Sequence, residues 1–298
     1  MNWRLFHVYS AQEAEPSTEQ RTNVFNAIAV LSSAEKDEIV SASRTVYRAH
    51  AALHIARAVT ANLDDVLDVI VEFGEAYLRD ANVYNDGFDD LLAELSRKLL
   101  NLCASFRSYL EHQETNLKRL GRSSPDWIAW RTFLSQIERD NKYYALIYGL
   151  RNYIQHVDMP PLHLNLHSEN REEVTLSVDL VTGSLLIPTA QWSADMREFI
   201  STSGKFISLW EALKGWEAAF KQILHKNTDF RIQPARLPAE FILALRAKYG
   251  VPDYGMVGIA AEPVPEANGE ISIAITWIEE SIAASVIERL GGPIDAVA

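Results

Sequence analysis

The stretch YGLRNYIQHVDMPP, residues 148–161, brings together an arginine, an asparagine and, four residues after the asparagine, a histidine. These groups suit phosphodiester chemistry. A guanidinium holds two phosphate oxygens in a fork and stabilises charge on a pentavalent phosphorus. An imidazole moves a proton near neutral pH. A neighbouring amide orients the imidazole or donates to a phosphate oxygen. RNA carries its own nucleophile in the 2′-hydroxyl, so the first step needs neither a metal nor an outside water. The candidate catalytic set is Arg151, Asn152 and His156. Tyr148 and Gln155 on the same helix are candidate substrate contacts. Arg107 is a third, if the preceding long helix runs antiparallel and turns it to the same groove; a surface salt bridge is its plainer role.

A helix must position these side chains. Tyr144, Tyr148, Asn152 and His156 recur every four residues and so share one helical face. Ile147, Leu150 and Ile154 form the apolar stripe beside it. Pro160 and Pro161 stop the helix soon after His156. Upstream of Pro160 the chain reads as helix almost throughout. A capping box at Ser32 and Glu35 opens one helix, and Asn62 is the expected cap of a second. A third helix closes at Gly121. A fourth begins with Ser124 as N-cap and Pro125 in the first turn, and runs on to His156. Residues 17–31 are expected to add a short fifth helix. Short connections between long helices imply an antiparallel up-and-down bundle.

The pattern changes after Pro161. Val174, Leu176, Val178 and Leu180 alternate, Thr182-Gly183 offers a turn, and Leu185 and Ile187 follow, which reads as a β-hairpin. Residues 196–226 and 238–250 return to helical spacing, the latter stopping at Gly250. Ile271, Ile273, Ile275 and Trp277 alternate as a strand. The expected fold is mainly α: a helical bundle over 1–160, then an α+β part over 161–298.

Composition excludes several classes. Hydrophobic content of 48% and charged content of 23% are those of a soluble globular chain. No apolar run reaches the roughly 18 residues of a membrane span, and the first residues lack the features of a secretory signal. A lone Cys103, in the apolar LLNLCASF, forms no intrachain disulfide and suits core packing; the expected location is cytoplasmic. A formal net charge of -12 argues against indiscriminate coating of nucleic acid. The charge is uneven, however. Residues 61–96 hold ten acids against Arg79 alone, whereas residues 97–151 hold ten bases against five acids. Pairing of the acidic with the basic helices is the simplest account of that asymmetry.

RNYIQH resembles the R-x(4–6)-H motif of the HEPN superfamily, in which a polar residue, often Asn, follows the Arg. LRNYIQH closed by a proline is also similar to a group of uncharacterised bacterial proteins. The resemblance implies a four- or five-helix bundle with the motif ending a late helix. It implies a metal-independent endoribonuclease that leaves a 2′,3′-cyclic phosphate, working without cofactors in a toxin–antitoxin or phage-defence setting. It further implies a homodimer through the bundle, with RNA and a protein antitoxin or regulator as partners. The alternative is a non-catalytic interaction or scaffold protein whose RNxxxH helix end is vestigial or structural. There, Arg151 pairs with a carboxylate and His156 caps the helix.

The bare spacing is not specific. Arg44 with His50, Arg48 with His54 and Arg107 with His112 also fit it, but Thr, Ala and Ser follow those arginines, and each pair falls within a helix. His163 and His167 in PLHLNLH have the spacing of two metal ligands on one face, yet no acid at matching spacing completes a site; exposed histidines are the better reading. Trp192, Trp210 and Trp216 are expected to pack the C-terminal part. There is no P-loop, dinucleotide fingerprint or Ser or Cys nucleophile motif.

Overall fold

The structure, a computed structural model, describes residues 2–14, 23–79, 88–170, 173–262 and 273–291; of residues 77–78, 166–170 and 173–175 it describes the backbone alone. In chain order the first elements are β1 (Trp3–Ser10), α1 (Ala11–Ala14), β2 (Asn23–Leu31), α2 (Ser33–Arg79), α3 (Phe88–Lys118), α4 (Pro125–Asp140) and α5 (Lys142–His156). There follow β3 (Leu162–Asn170), β4 (Glu173–Val181), α6 (Thr182–Leu185), α7 (Ala194–Thr202), β5 (Phe206–Ser208) and α8 (Leu209–Asn227). After a π turn and a 3-10 turn come α9 (Arg236–Tyr249), β6 (Met256–Ala261), β7 (Thr276–Ile278) and α10 (Glu280–Gly291). Long helices dominate and small antiparallel sheets accompany them, in keeping with a mainly α chain that carries an α+β part.

The chain forms two compact units, residues 1–51 with 228–297 and residues 52–227. The boundary expected at residue 160 lies inside the second unit. The reason is the aromatic core there. Trp216 of α8 is fully buried, stacks on Phe220 at 5.1 Å and meets Phe106 of α3 edge-on at 5.0 Å, so a C-terminal helix and the bundle share one core.

In the first unit the sheet order is β2-β1-β6-β7, antiparallel throughout. β1 is central, and Leu5, Phe6, His7 and Val8 are all buried, so both its faces are covered. α2 opens with the expected capping box: Ser32 Oγ accepts from Glu35 N at 3.2 Å, and Glu35 Oε2 accepts from Ser32 N at 3.0 Å. α9 stops at Gly250, whose left-handed φ of 65° lets Val251 N reach back to Arg246 O. Arg246 then clasps the next loop, donating to the carbonyls of Pro252, Tyr254 and Gly255 and to both oxygens of Glu280 on α10.

In the second unit α5 is the organising helix. Leu146, Ile147 and Leu150 are fully buried. α8 and α7 pack against α5, as do α3 and α4. The approach of α8 is close because Gly215 has no Cβ; one there would run into the Tyr143 ring. The three-stranded sheet β3-β4-β5 continues from the end of α5, where Val181 N donates to Pro161 O.

Five local expectations are corrected. Residues 23–31 form strand β2, not part of a helix; residues 17–22 lie outside the described residues. Asn62 caps nothing, because α2 runs unbroken for 47 residues, about 70 Å. The helix expected over 124–156 breaks at Asn141, which has extended φ and ψ; its Oδ1 caps α5 by accepting from Tyr144 N, and its Nδ2 donates to Gly215 O. The hairpin partner of β4 is β3, upstream, while Thr182-Gly183 opens the short α6, held by the Thr182 hydroxyl donating to Gly204 O. Only Thr276–Ile278 of the alternating C-terminal stretch is strand; Ile273 and Ile275 pack as coil against Phe6, Val8 and Ala260, and Ile271 lies outside the described residues. Ser124 and Pro125 start α4 as expected, and Gly121, at φ 102°, follows α3.

Candidate functional site

The row along α5 emerges from the core into solvent. Tyr144 is buried, Tyr148 half-buried, and Asn152 and His156 exposed. The helix end beneath is held firmly. Tyr153 is buried, its hydroxyl donates to Ser184 O at 3.1 Å, and its ring stacks at 6.3 Å on Trp192, whose indole N–H donates to Leu185 O. Trp192 in turn fills the space left by Gly149. Thus Arg151, Asn152, Gln155 and His156 project from the last turns of a rigidly seated helix.

Arg151 is half-buried. Its Nε is inaccessible and has no hydrogen-bond partner, and no carboxylate pairs with the guanidinium among the described residues. Its charge is felt by Cys103 on α3, where it opposes the burial that pushes the thiol up to about 12. Arg151 Nη1 donates to Asn152 Oδ1 at 3.2 Å. A guanidinium has only donors, so the amide must turn its oxygen to Arg151, leaving its NH2 to donate elsewhere. Two donor groups of adjacent residues therefore stand four and five residues before an exposed imidazole. Guanidinium, amide and imidazole are the group types that can bind an anion and relay a proton.

Arg107 and Tyr148 meet one turn further into the helix. The guanidinium lies 5.1 Å over the Tyr148 ring and donates to its hydroxyl, and Arg107 Nε pairs with Glu111 Oε1 at 2.7 Å. Tyr148 also stacks on Tyr144. Arg107 therefore faces α5, as antiparallel packing required, and also forms the salt bridge of the plainer reading. With Glu111, Glu114, Arg131 and Glu138 these side chains line a small cavity of about 90 Å³. Among the described residues the basic segment pairs both within itself and with the acidic one: Arg131 and Lys118 meet Glu114, while Lys98 meets Asp65 at 3.6 Å and both Arg97 and Lys98 meet Glu94.

The remaining candidates have structural neighbours. His163 stacks on Phe206 at 4.9 Å, while the His167 side chain lies outside the described residues. Among the described residues no group of three His, Cys, Asp or Glu is placed to hold a metal ion. Cys103 is a core side chain, as its setting implied. Trp192 and Trp216 are buried; Trp210 is partly exposed beneath Lys214. The competing Arg–His pairs all lie within α2 and α3. A cavity of about 280 Å³ in the first unit, lined by Arg44, Tyr47, Ile242 and Trp277 among others, had no signal in the sequence, because its walls come from opposite ends of the chain. No described helix is long and apolar enough to cross a membrane. No family model, curated protein or solved structure matches the chain.

Proposed function

We propose that the chain is a metal-independent endoribonuclease of the HEPN type, acting as a homodimer in a toxin or phage-defence setting. The observation that carries this reading is Arg151: a half-buried guanidinium, with an orphaned Nε and no carboxylate partner among the described residues, bonded to Asn152, which lies one turn before the exposed His156. A structural arginine at this depth ordinarily has an acid beside it, because an uncompensated charge is costly to bury.

Arg151 binds the scissile phosphate and stabilises the charge of the pentavalent intermediate. One imidazole takes the proton from the 2′-hydroxyl as its oxygen bonds to phosphorus. The bond to the 5′ oxygen breaks, and a second, protonated imidazole supplies that oxygen with its proton. The products are a 2′,3′-cyclic phosphate and a 5′-hydroxyl. Each chain offers one such histidine at the site, so a pair of chains supplies both the base and the acid. Asn152 holds Arg151 in line through its oxygen and donates from its NH2 to the phosphate.

RNA cleavage in excess EDTA, wild type against His156→Ala and Arg151→Lys, tests this. The expected result is cleavage that survives the chelator, leaves cyclic phosphate ends, and falls by about 10²-fold or more in His156→Ala. Arg151→Lys keeps the charge but loses the fork, and is expected to be impaired as well. Cleavage unchanged in His156→Ala, or a wild type silent on RNA, would move the assignment to the interaction protein.

A further inference from the structure

We propose that strand β2 is a self-association edge. Residues Asn23–Ala27 of two copies pair antiparallel about a two-fold axis through Phe25. This inference is independent of the nuclease reading. β2 ends the sheet order β2-β1-β6-β7, so one row of its backbone N–H and C=O groups has no strand partner among the described residues. Natural edge strands are guarded by charge, proline or brevity. β2 has none of these guards. NVFNAIAVL is nine residues long and contains no charged residue, proline or glycine, in a chain that is 23% charged. Phe25 is 52% exposed and Val30 62%. The one guard present is a bulge, where Ile28 is skipped between the pairs Phe6–Ala27 and Leu5–Ala29. It lies beyond residues 23–27, which pair in unbroken register with residues 10–6 of β1. The opposite edge, β7, is only three residues long.

Charge selects the occupant. Two chains of net charge -12 repel one another unless they meet on a neutral surface. β2 is neutral, so pairing with itself sets no carboxylate against another. A basic partner would find no acid on this strand, and an acidic one no base. With the axis at Phe25 the strand complements itself: Phe25 faces Phe25 of the second copy, Val24 faces Asn26, and Asn23 faces Ala27. Aromatic cross-strand pairs of this kind favour antiparallel association.

The test is site-specific crosslinking of the full chain. Cys103, the one native cysteine, is buried. Directly opposed residues of an antiparallel pair have Cα atoms about 4.5–5.5 Å apart, within disulfide range. Under mild oxidant Phe25→Cys is expected to form a covalent dimer at least about ten-fold faster than Val30→Cys, whose mate in this register is not itself. In sedimentation, Phe25→Lys sets two cations face to face and is expected to shift the chain to a smaller species than wild type. Leu237→Lys, on the exposed flank of α9, leaves association unchanged. Equal crosslinking of the two cysteine variants, or sedimentation unmoved by Phe25→Lys, overturns the proposal. Because Phe25 is half exposed, circular dichroism of its variants is expected to match wild type.

Discussion

Two glycines inside helices of the second unit make opposite demands, and the same substitution at each separates packing from propensity. Replacing an interior helical glycine by alanine gains about 0.8–1 kcal/mol from backbone entropy alone. At Gly74 of α2 no described atom beyond the adjoining helix backbone lies within 4 Å of the added Cβ, so Gly74→Ala is expected to stabilise by up to that amount. At Gly149 of α5 the same Cβ lies 2.9 Å from Cε3 of Trp192 and closer still to Cζ3. Contact at ordinary distance requires the indole to retreat by about 1 Å. It is buried, stacked on Tyr153 and bonded to Leu185 O at 2.7 Å, so it cannot swing out freely. Overpacking of this kind costs about 1–3 kcal/mol, and loosening the indole bond adds about 1. After subtracting the propensity gain, Gly149→Ala is expected to destabilise by about 1–3 kcal/mol. Urea midpoints at unchanged slope measure the difference. Adding Trp192→Phe to Gly149→Ala should restore part of the loss, as a positive coupling in a double-mutant cycle. If Gly149→Ala proves as stable as Gly74→Ala, the described seating of α5 on Trp192 is wrong.

Two further outcomes follow from particular groups. Burial pushes the Cys103 thiol up from 9.0 to about 12, and burial also raises the Tyr144 hydroxyl. The unfolded chain therefore releases these protons before the folded one does. Their contribution to stability is whole below about pH 9 and is lost as pH rises toward 12; Cys103→Ala should flatten part of that alkaline decline in urea midpoints, and an unchanged decline would refute it. Arg246, only 16% exposed at its side chain, ties Glu280 to three loop carbonyls; Arg246→Met is expected to cost about 2–4 kcal/mol in denaturant unfolding, and a loss under about 0.5 would show the clasp to be idle.

The parts of the fold legible in the sequence were those governed by local chemistry. Ser32 with Glu35, Ser124 with Pro125, Gly121 and Gly250 act through hydrogen bonds or φ values set within a few residues, and each marks an element boundary as read. The misreadings were tertiary. Val24, Ile28 and Leu31 are spaced by fours and threes, which imitates a helix, yet β2 is fixed by pairing with β1. Val59, Leu63, Val66 and Ile70 carry a helical period straight across Asn62, and buried packing outweighs the modest cost of an interior asparagine. Trp130, Leu134, Ile137 and Tyr144 do the same across Asn141, and there the chain does break, because the asparagine amide bonds Gly215 on a distant helix. β1 gave no strand signal because both its faces are buried and alternation is absent. Of the candidate site, the shared helical face and its end before Pro160 were legible. The orphaned Arg151 Nε, the Arg107–Tyr148 contact and the Trp192 buttress depend on which helices meet, and one sequence does not contain that.

The position of β1 between β2 and β6 also bears on synthesis. A hairpin of β1 and β2 is complete once Leu31 has left the ribosome. The other neighbour of β1, Met256–Ala261, emerges roughly 250 residues after β1 itself, about 10–50 s at ~5–20 residues per second. For that interval the inner edge of β1 is as bare as the outer edge of β2, and Leu5 and Phe6 await the elements that bury them. The nascent chain thus carries a two-stranded, largely uncharged ribbon exposed on both sides. Crowded ribosomes on one message would hold such ribbons side by side, and a chaperone that shields the segment from Trp3 to Leu31 is expected to raise the yield of native protein more than one that acts after release.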